Sequence, residues 1–113
     1  MAITLLSQSE LPLDTVTRDF VGEHHGGVGV SVLFVDAAPG QGPRLHKHPY
    51  VELLIILEGT ALVDDGDSKR VVHGGQMAVV DANQPHGFVN AGEGRLKQID
   101  IHLNPKPITE WLA

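Results

Sequence analysis

The chain reads as an all-β sandwich or barrel. Three observations predict this. Short apolar runs recur about every eight to twelve residues. The gaps between them are punctuated by Gly, Pro, Asn and Asp, with 13 glycines and 7 prolines in 113 residues. One run, Ile99, Ile101 and Leu103 against Asp100 and His102, alternates strictly, the period-2 signature of a strand.

The elements follow in order. Residues 1 to 20 space Leu5, Leu6, Leu11, Leu13, Val16 and Phe20 irregularly, which predicts short strands or a strand and a turn. Gly26-Gly27 is a turn. Val28–Val35 is rich in β-formers, with Val28, Val30, Val32 and Phe34 on one face. Ala37–Pro43 holds two glycines and two prolines and is a loop. A strand carrying His46 and His48 comes next. Residues 51 to 57 are apolar apart from Glu52, which predicts a strand covered on both faces, with Glu52, Leu54 and Ile56 sharing one of them. Gly59 ends that run, and Thr60–Val63 starts another.

Asp64-Asp65-Gly66-Asp67 invites a calcium reading. Acidic residues and a glycine between two strands are better explained as a hairpin turn, and the terminal glutamate of an EF-hand loop is missing. Further strands are predicted at Arg70–His73, Met77–Val80, Gly87–Asn90 and Arg95–Leu103. Pro105 and Pro107 stop the last of these, and Ile108–Leu112 is read as a short turn of helix. No internal repeat or linker interrupts the chain, so residues 1–113 are expected to form a single domain.

Composition narrows the function. With no cysteine, the fold uses no disulfide and no thiolate can serve as ligand or nucleophile. The net charge of −6 and the lack of any Lys/Arg cluster beyond Lys69-Arg70 argue against nucleic-acid binding. The first ten residues have no basic region and no long apolar core, so no signal peptide is expected. No apolar run approaches membrane-spanning length. These readings predict a cytoplasmic protein with no membrane partner.

The chemistry concentrates in two segments. In the first, about 40–59, the pattern is Gly40-x5-His46-x-His48-x3-Glu52-x6-Gly59. Positions i and i+2 of a strand point to one face, so His46 and His48 can aim at one point. Glu52, opening the next run, can close onto the same point. A carboxylate on a covered face also needs a partner, because burying it unpaired is costly. Imidazole nitrogen and carboxylate oxygen both suit a divalent first-row metal. In the second segment, about 75–90, the pattern is Gly75-x5-Asp81-x-Asn83-x2-His86-x3-Asn90, with Pro85 and Gly87 flanking His86 at a turn. The bland alternative is that strand histidines lie on a wet face, and that two of seven histidines fall in HxH spacing by chance. Glu52 and His86 in their places outweigh it.

These two segments resemble the two motifs of the cupin superfamily. The first matches the family pattern at every fixed position. The second keeps Gly75, His86 and Asn90 but has Asp81 where the family usually has proline and Asn83 where it usually has glycine. Asn tolerates the left-handed conformation glycine would supply, so the departure is read as compatible with the fold. The resemblance covers about residues 28 to 103. It implies a small double-stranded β-helix, or jelly-roll, barrel. It further implies one divalent transition metal per chain (Fe, Mn, Ni, Zn, Co or Cu) on His46, His48, Glu52 and His86.

Three neutral imidazoles and one carboxylate leave a divalent ion with net charge +1. On an octahedral ion, four protein ligands leave two positions for water or a bidentate substrate. The expected partner is thus a small polar metabolite. Two enzyme classes fit: a dioxygenase, or a non-redox isomerase, lyase or epimerase. A non-catalytic small-molecule or sugar-binding shell is the third reading, because this fold hosts many chemistries. His102 and Tyr50 are the candidate acid/base groups. Arg44, Gln98 and Phe88 are candidate substrate contacts, Arg44 as a carboxylate clamp and Gln98 as an orienter. His102 is opposite in phase to the apolar residues of its strand. It faces solvent if those pack between sheets, or the cavity if the barrel is also covered outside by a partner. His24, His25 and His73 are read as loop or surface residues. The two-sided apolarity of residues 51 to 57, and the family's habit of covering this face with a second copy, predict a homodimer.

Overall fold

The structure is a computed structural model, and it describes residues 2–113. Among the described residues, eleven strands are connected by turns, with two short 3-10 turns at Gln8–Glu10 and Gly22–His24. The strands are β1 (Leu13–Asp14), β2 (Thr17–Val21), β3 (Ser31–Ala37), β4 (His46–Lys47), β5 (Glu52–Glu58), β6 (Thr60–Asp64), β7 (Lys69–His73), β8 (Met77–Val80), β9 (Gly87–Asn90), β10 (Leu96–His102) and β11 (Glu110–Trp111). They form a six-stranded sheet ordered β1-β2-β3-β10-β5-β8, a three-stranded sheet β7-β6-β9 and a two-stranded pair β11-β4. All pairings are antiparallel, and the hydrogen-bonded sheets do not close into one continuous cylinder.

The register of the large sheet aligns its inner face. His102 pairs with both Ser31 and Glu52, Asp100 with Leu33 and Leu54, and Gln98 with Val35 and Ile56. Because side chains alternate along each strand, these rows share one face. It has two regions. One end, Val35, Ala37, Ile56 and Leu96, packs with Ala61 and Phe88 of the three-stranded sheet in an apolar core. The other end is polar and still buried: Glu52, Asp100 and His102 are each 3–4% exposed. Wherever polar groups are buried together they need partners, and those partners are described below.

The expected strands are present, with differences that have physical causes. The predicted Val28–Val35 strand begins later and ends later, as Ser31–Ala37. Its buried phase is Ser31, Val35 and Ala37, while Val32 and Phe34 are half-buried on the outer face and Val28 is exposed. Residues 22 to 30 are instead held as a turn, in which Gly22 lies so close to the Val28 and Val30 carbonyls that no Cβ would fit. His48 falls outside the two-residue strand β4 yet is buried. The inner face of β5 is fully covered, but its outer face is partly open, with Leu57 53% exposed.

The predicted helical turn at Ile108–Leu112 is a strand. Five residues cannot offset the cost of nucleating a helix, whereas β4 offers an open edge. Glu110 pairs with Lys47 and Trp111 with His46, and Leu112 N–H donates to the Leu45 carbonyl at 3.0 Å.

The acidic stretch Asp64 to Asp67 is a hairpin turn, as read. Asp65 accepts from the Asp67 and Ser68 amides at 2.9 and 2.7 Å, which draws its carboxyl below the usual range. Asn83 adopts φ of 65°, the left-handed conformation expected of the residue standing where glycine is usual. Its N–H donates to the His48 carbonyl at 2.7 Å, tying the second motif to the first.

Candidate metal centre

His46, His48, Glu52 and His86 converge. One ligand atom from each lies within 4.8 Å of all the others, and all four residues are buried. Two backbone devices bring them together. His46 and His86 exchange backbone hydrogen bonds at 2.8 Å in an isolated antiparallel bridge, so their side chains leave neighbouring backbones in one direction. Glu52 begins β5, the strand beside β10, and points inward in the phase of Leu54 and Ile56.

The imidazoles are oriented from behind. His46 Nδ1 bonds the Arg44 carbonyl, His48 Nδ1 the Ile108 carbonyl at 2.7 Å, and His86 Nδ1 the Gln84 carbonyl at 2.9 Å. A carbonyl can only accept, so each Nδ1 carries the hydrogen. When neutral, each ring then presents a bare Nε2 lone pair inward, the tautomer a metal ligand needs. The His48 Nε2 has no hydrogen-bond partner although it is buried, and it lies 3.2 Å from Glu52 Oε1. His86 Nε2 is 2.7 Å from the same oxygen. Lone pairs that face a carboxylate at these distances repel unless a cation sits among them. The cluster is therefore suited to a metal ion.

Electrostatics agree with that requirement. Burial pushes the Glu52 carboxyl up, but the imidazoles of His102, His48 and His86 gathered around it outweigh that and hold the group well below the usual carboxylate range. Burial lowers the His46 imidazole to about 4, leaving its ring neutral at ordinary pH. Burial also acts to lower His86, but the Glu52 carboxylate beside it and the Gln84 carbonyl prevail, so it is raised: a cation between His86 Nε2 and Glu52, proton or metal, is favoured there.

His102 lies inside, 3% exposed, with Nε2 at 3.0 Å from Glu52 Oε2. The Ile108 N–H donates to the Tyr50 hydroxyl at 2.9 Å, which leaves the hydroxyl free to donate to His102 Nδ1 at 2.6 Å. His102 Nε2–H then donates to Glu52. This chain engages one oxygen of Glu52 and leaves Oε1 toward His48 and His86. Burial pushes the Tyr50 hydroxyl up to about 12, so it stays protonated as a donor.

A cavity of about 530 Å³ opens over the four ligands. His102 and Phe88 line it, and Arg44 stands exposed at its mouth, its guanidinium 5.5 Å from the Trp111 ring. Tyr50 and Gln98 do not line it. Tyr50 stands behind His102, and Gln98 bonds Asp100 at 2.6 Å. His24, His25 and His73 are exposed and away from the site.

Four contributors escaped the sequence reading: Asp100, Asp19, Trp111 and the backbone of Ile108. Asp100 shares the phase of His102, so the inward turn of one implied that of the other. Asp19, Trp111 and Ile108 had no signal, since each depends on which strands become neighbours.

The model of the cupin domain family matches residues 33–102. The chain belongs to the cupin family. No curated protein matches this cupin. Among solved structures it is similar to an oxalate oxidase, with 27% identity and a TM-score of 0.66 over 76% of this chain and 47% of that one. The chain thus spans about half the length of the oxalate oxidase. It is also similar to an uncharacterized conserved protein with a double-stranded β-helix domain from Klebsiella pneumoniae, at 18% identity and a TM-score of 0.76, covering 95% of this chain and 89% of that one. A polyketide cyclase from Streptomyces resistomycificus has a TM-score of 0.80 at 14% identity, covering 99% of this chain and 87% of the cyclase. The last two likenesses show the fold alone. Among the described residues, no helix is long and apolar enough to cross a membrane.

Proposed function

We propose that this cupin holds one divalent first-row transition ion on His46, His48, Glu52 and His86 and acts on a small polar metabolite in the cavity above it. Dioxygenase-type or other metal-centred chemistry is the leading reading. The observation that carries it is the set of three Nδ1–carbonyl bonds, which commits three Nε2 lone pairs and one carboxylate oxygen to a single point. Bound there, the ion supplies Lewis acidity and, if redox-active, a means of activating O2. The similarity to an oxalate oxidase supports small-molecule oxidation as the first class to test.

The chain's own residues do the rest. His102 and Tyr50 hold Glu52 in one orientation. Phe88 and Trp111 give the cavity apolar wall, and Arg44 at the mouth can receive a carboxylate. The alternative, a non-redox isomerase or lyase, draws support from His102 itself, an imidazole on the cavity wall backed by a phenol. In that reading His102 moves the proton at its Nε2. A non-catalytic binding shell is the third reading.

An oxygen-electrode trace on a panel of small hydroxy and keto acids separates them. For a dioxygenase, iron-loaded protein consumes O2 and zinc-loaded protein does not, because zinc has no accessible redox state. For an isomerase or lyase, both forms turn over without O2, and His102→Ala lowers kcat by roughly a hundredfold. Ligands that raise the melting temperature yet are recovered unchanged from both forms would reject the enzyme readings.

The same proposal includes a homodimer. The outer face of the large sheet is apolar and uncovered in part, with Leu57, Met77 and Val79 52–63% exposed, and outside the sheet Ile3 and Leu5 of the N-terminal segment are each 88% exposed. A patch of this kind on a sheet ending in the open edge β8 fits a second copy. Light scattering should return twice the 12.1 kDa chain mass. Deleting the first ten residues should weaken association if they exchange between copies. A clean monomer at micromolar concentration counts against the dimer.

A further inference from the structure

The cavity has a second pole that the metal centre does not use. Asp100 lies two residues before His102 on β10, on the same inner face, about 7 Å along the strand. Asp19 stands in the same row: it pairs with Leu33, and Leu33 pairs with Asp100. Both line the cavity. Asp100 is only 4% exposed, and one of its oxygens accepts from Gln98 Nε2 at 2.6 Å. Its other oxygen has no hydrogen-bond partner among the described residues. Asp19 Oδ1 is buried and likewise unpartnered.

Neither carboxyl has a basic partner. Among the described residues, Lys47 and Arg95 pair with Glu110 and Asp36 at the surface, and the imidazoles pair with Glu52. Arg18, next in sequence to Asp19, turns away and donates to the Leu11 carbonyl at 3.1 Å. Buried acceptors without donors are rare because each costs free energy to desolvate. One such acceptor on Asp19 and the second oxygen of Asp100, both facing one cavity on a rigid sheet, leave a place for a donor that the chain does not supply.

From this we infer that Asp100 and Asp19 form a seat for a hydrogen-bond-donating group, a hydroxyl or an ammonium, on a ligand whose oxygens reach the metal centre. The inference rests on the proposed metal centre and names the substrate class for the same cavity: a small molecule with chelating oxygens at one end and a donor a few bonds away. The surroundings of the two carboxyls fit. Burial pushes Asp100 up, with Glu52 and Asp19 adding to the effect, and burial pushes Asp19 up as well. A donor placed between them relieves this cost.

Three isosteric hydroxamates test it on the full chain loaded with Co(II): 3-aminopropanohydroxamate, 3-hydroxypropanohydroxamate and butanohydroxamate. All three chelate through the same two oxygens and differ only in the end group of the chain. The visible cobalt bands report each Kd. At least one donor-ended compound should bind about tenfold or more tighter than butanohydroxamate, the scale of a hydrogen bond to a charged group. A stronger ammonium compound marks the seat as anionic, and a stronger hydroxyl compound marks it as sharing a proton; both support the inference. In Asp100→Asn and in Asp19→Asn the preference should collapse to less than about threefold. The comparison in the unaltered chain stands even if a variant fails to fold. Equal binding of all three compounds overturns the seat and leaves the metal centre standing, as does a preference that survives both substitutions. A protein that yields no cobalt bands, or bands that no hydroxamate shifts, overturns the metal centre and the seat with it.

Discussion

Glu52→Gln should purify with less than about a tenth of an equivalent of metal per chain, where the unaltered cupin carries close to one. The substitution preserves shape, and the side-chain carbonyl still accepts from His102 Nε2. What it removes is the one anionic ligand, the group toward which His48 and His86 direct their nitrogens at 3.2 and 2.7 Å. Elemental analysis of protein purified without a His-tag and without added metal measures the loss.

The thermal consequence is as large. A ligand present at a thousand times its Kd stabilises the native state by about 4 kcal/mol. For a domain near this size, 1 kcal/mol moves the melting temperature by roughly 4–8 °C. A chelator should therefore lower the melting temperature of the unaltered protein by about 15 °C or more, and leave Glu52→Gln where it was. His48→Ala should lower occupancy and melting temperature together. A metal-free protein whose stability ignores both added metal and chelator would sink the metal centre.

Ending the chain at Pro107 should weaken metal binding by roughly ten- to a hundredfold, the usual effect of losing groups that orient metal ligands. Residues 108 to 112 supply none of the four ligands, but they hold two of the groups behind them. The Ile108 carbonyl fixes the His48 tautomer, and the Ile108 N–H fixes the hydroxyl that orients His102. Strand β11 also closes β4, on which His46 sits. Competition against a metallochromic chelator measures the change. An affinity equal to that of the full chain would show that His48 and His102 are held by their other neighbours. Tyr50→Phe isolates one part of the effect and should cost less, because His48 keeps its carbonyl.

Much of the site was legible because its signal is local. His46, His48 and Glu52 fall within seven residues, and strand alternation alone aims the first two at one point. His86 lay in a separate segment, and only its turn residues and the cupin spacing joined it to the first. His102 was ambiguous for a physical reason. An alternating strand shows which residues share a face but not which face is inside, and here the polar phase is the inner one because it borders the cavity. The same ambiguity hid Asp100. The error at Ile108–Leu112 came from judging a short segment by local preference, when an open strand edge elsewhere in the fold decided its conformation. The boundaries of β3 were missed because the backbone packing of Gly22 against residues 28 and 30 leaves no mark in the hydrophobic pattern.

Trp111 is the chain's sole tryptophan, and its ring centroid lies 5.0 Å from that of His46. The protein's tryptophan emission therefore originates beside the cluster and nowhere else. A paramagnetic ion seated on His46 would quench that emission by contact-range energy and electron transfer, while zinc, with its filled shell, would leave it bright. Loading, exchange and loss of an ion can thus be followed on one unlabelled chain, in real time and at micromolar concentration. The same signal reports the release of β11 from β4, so a dimming without a spectral shift and a red shift without dimming would be separate events. The cupin carries its own optical probe at the place where its chemistry is proposed to occur.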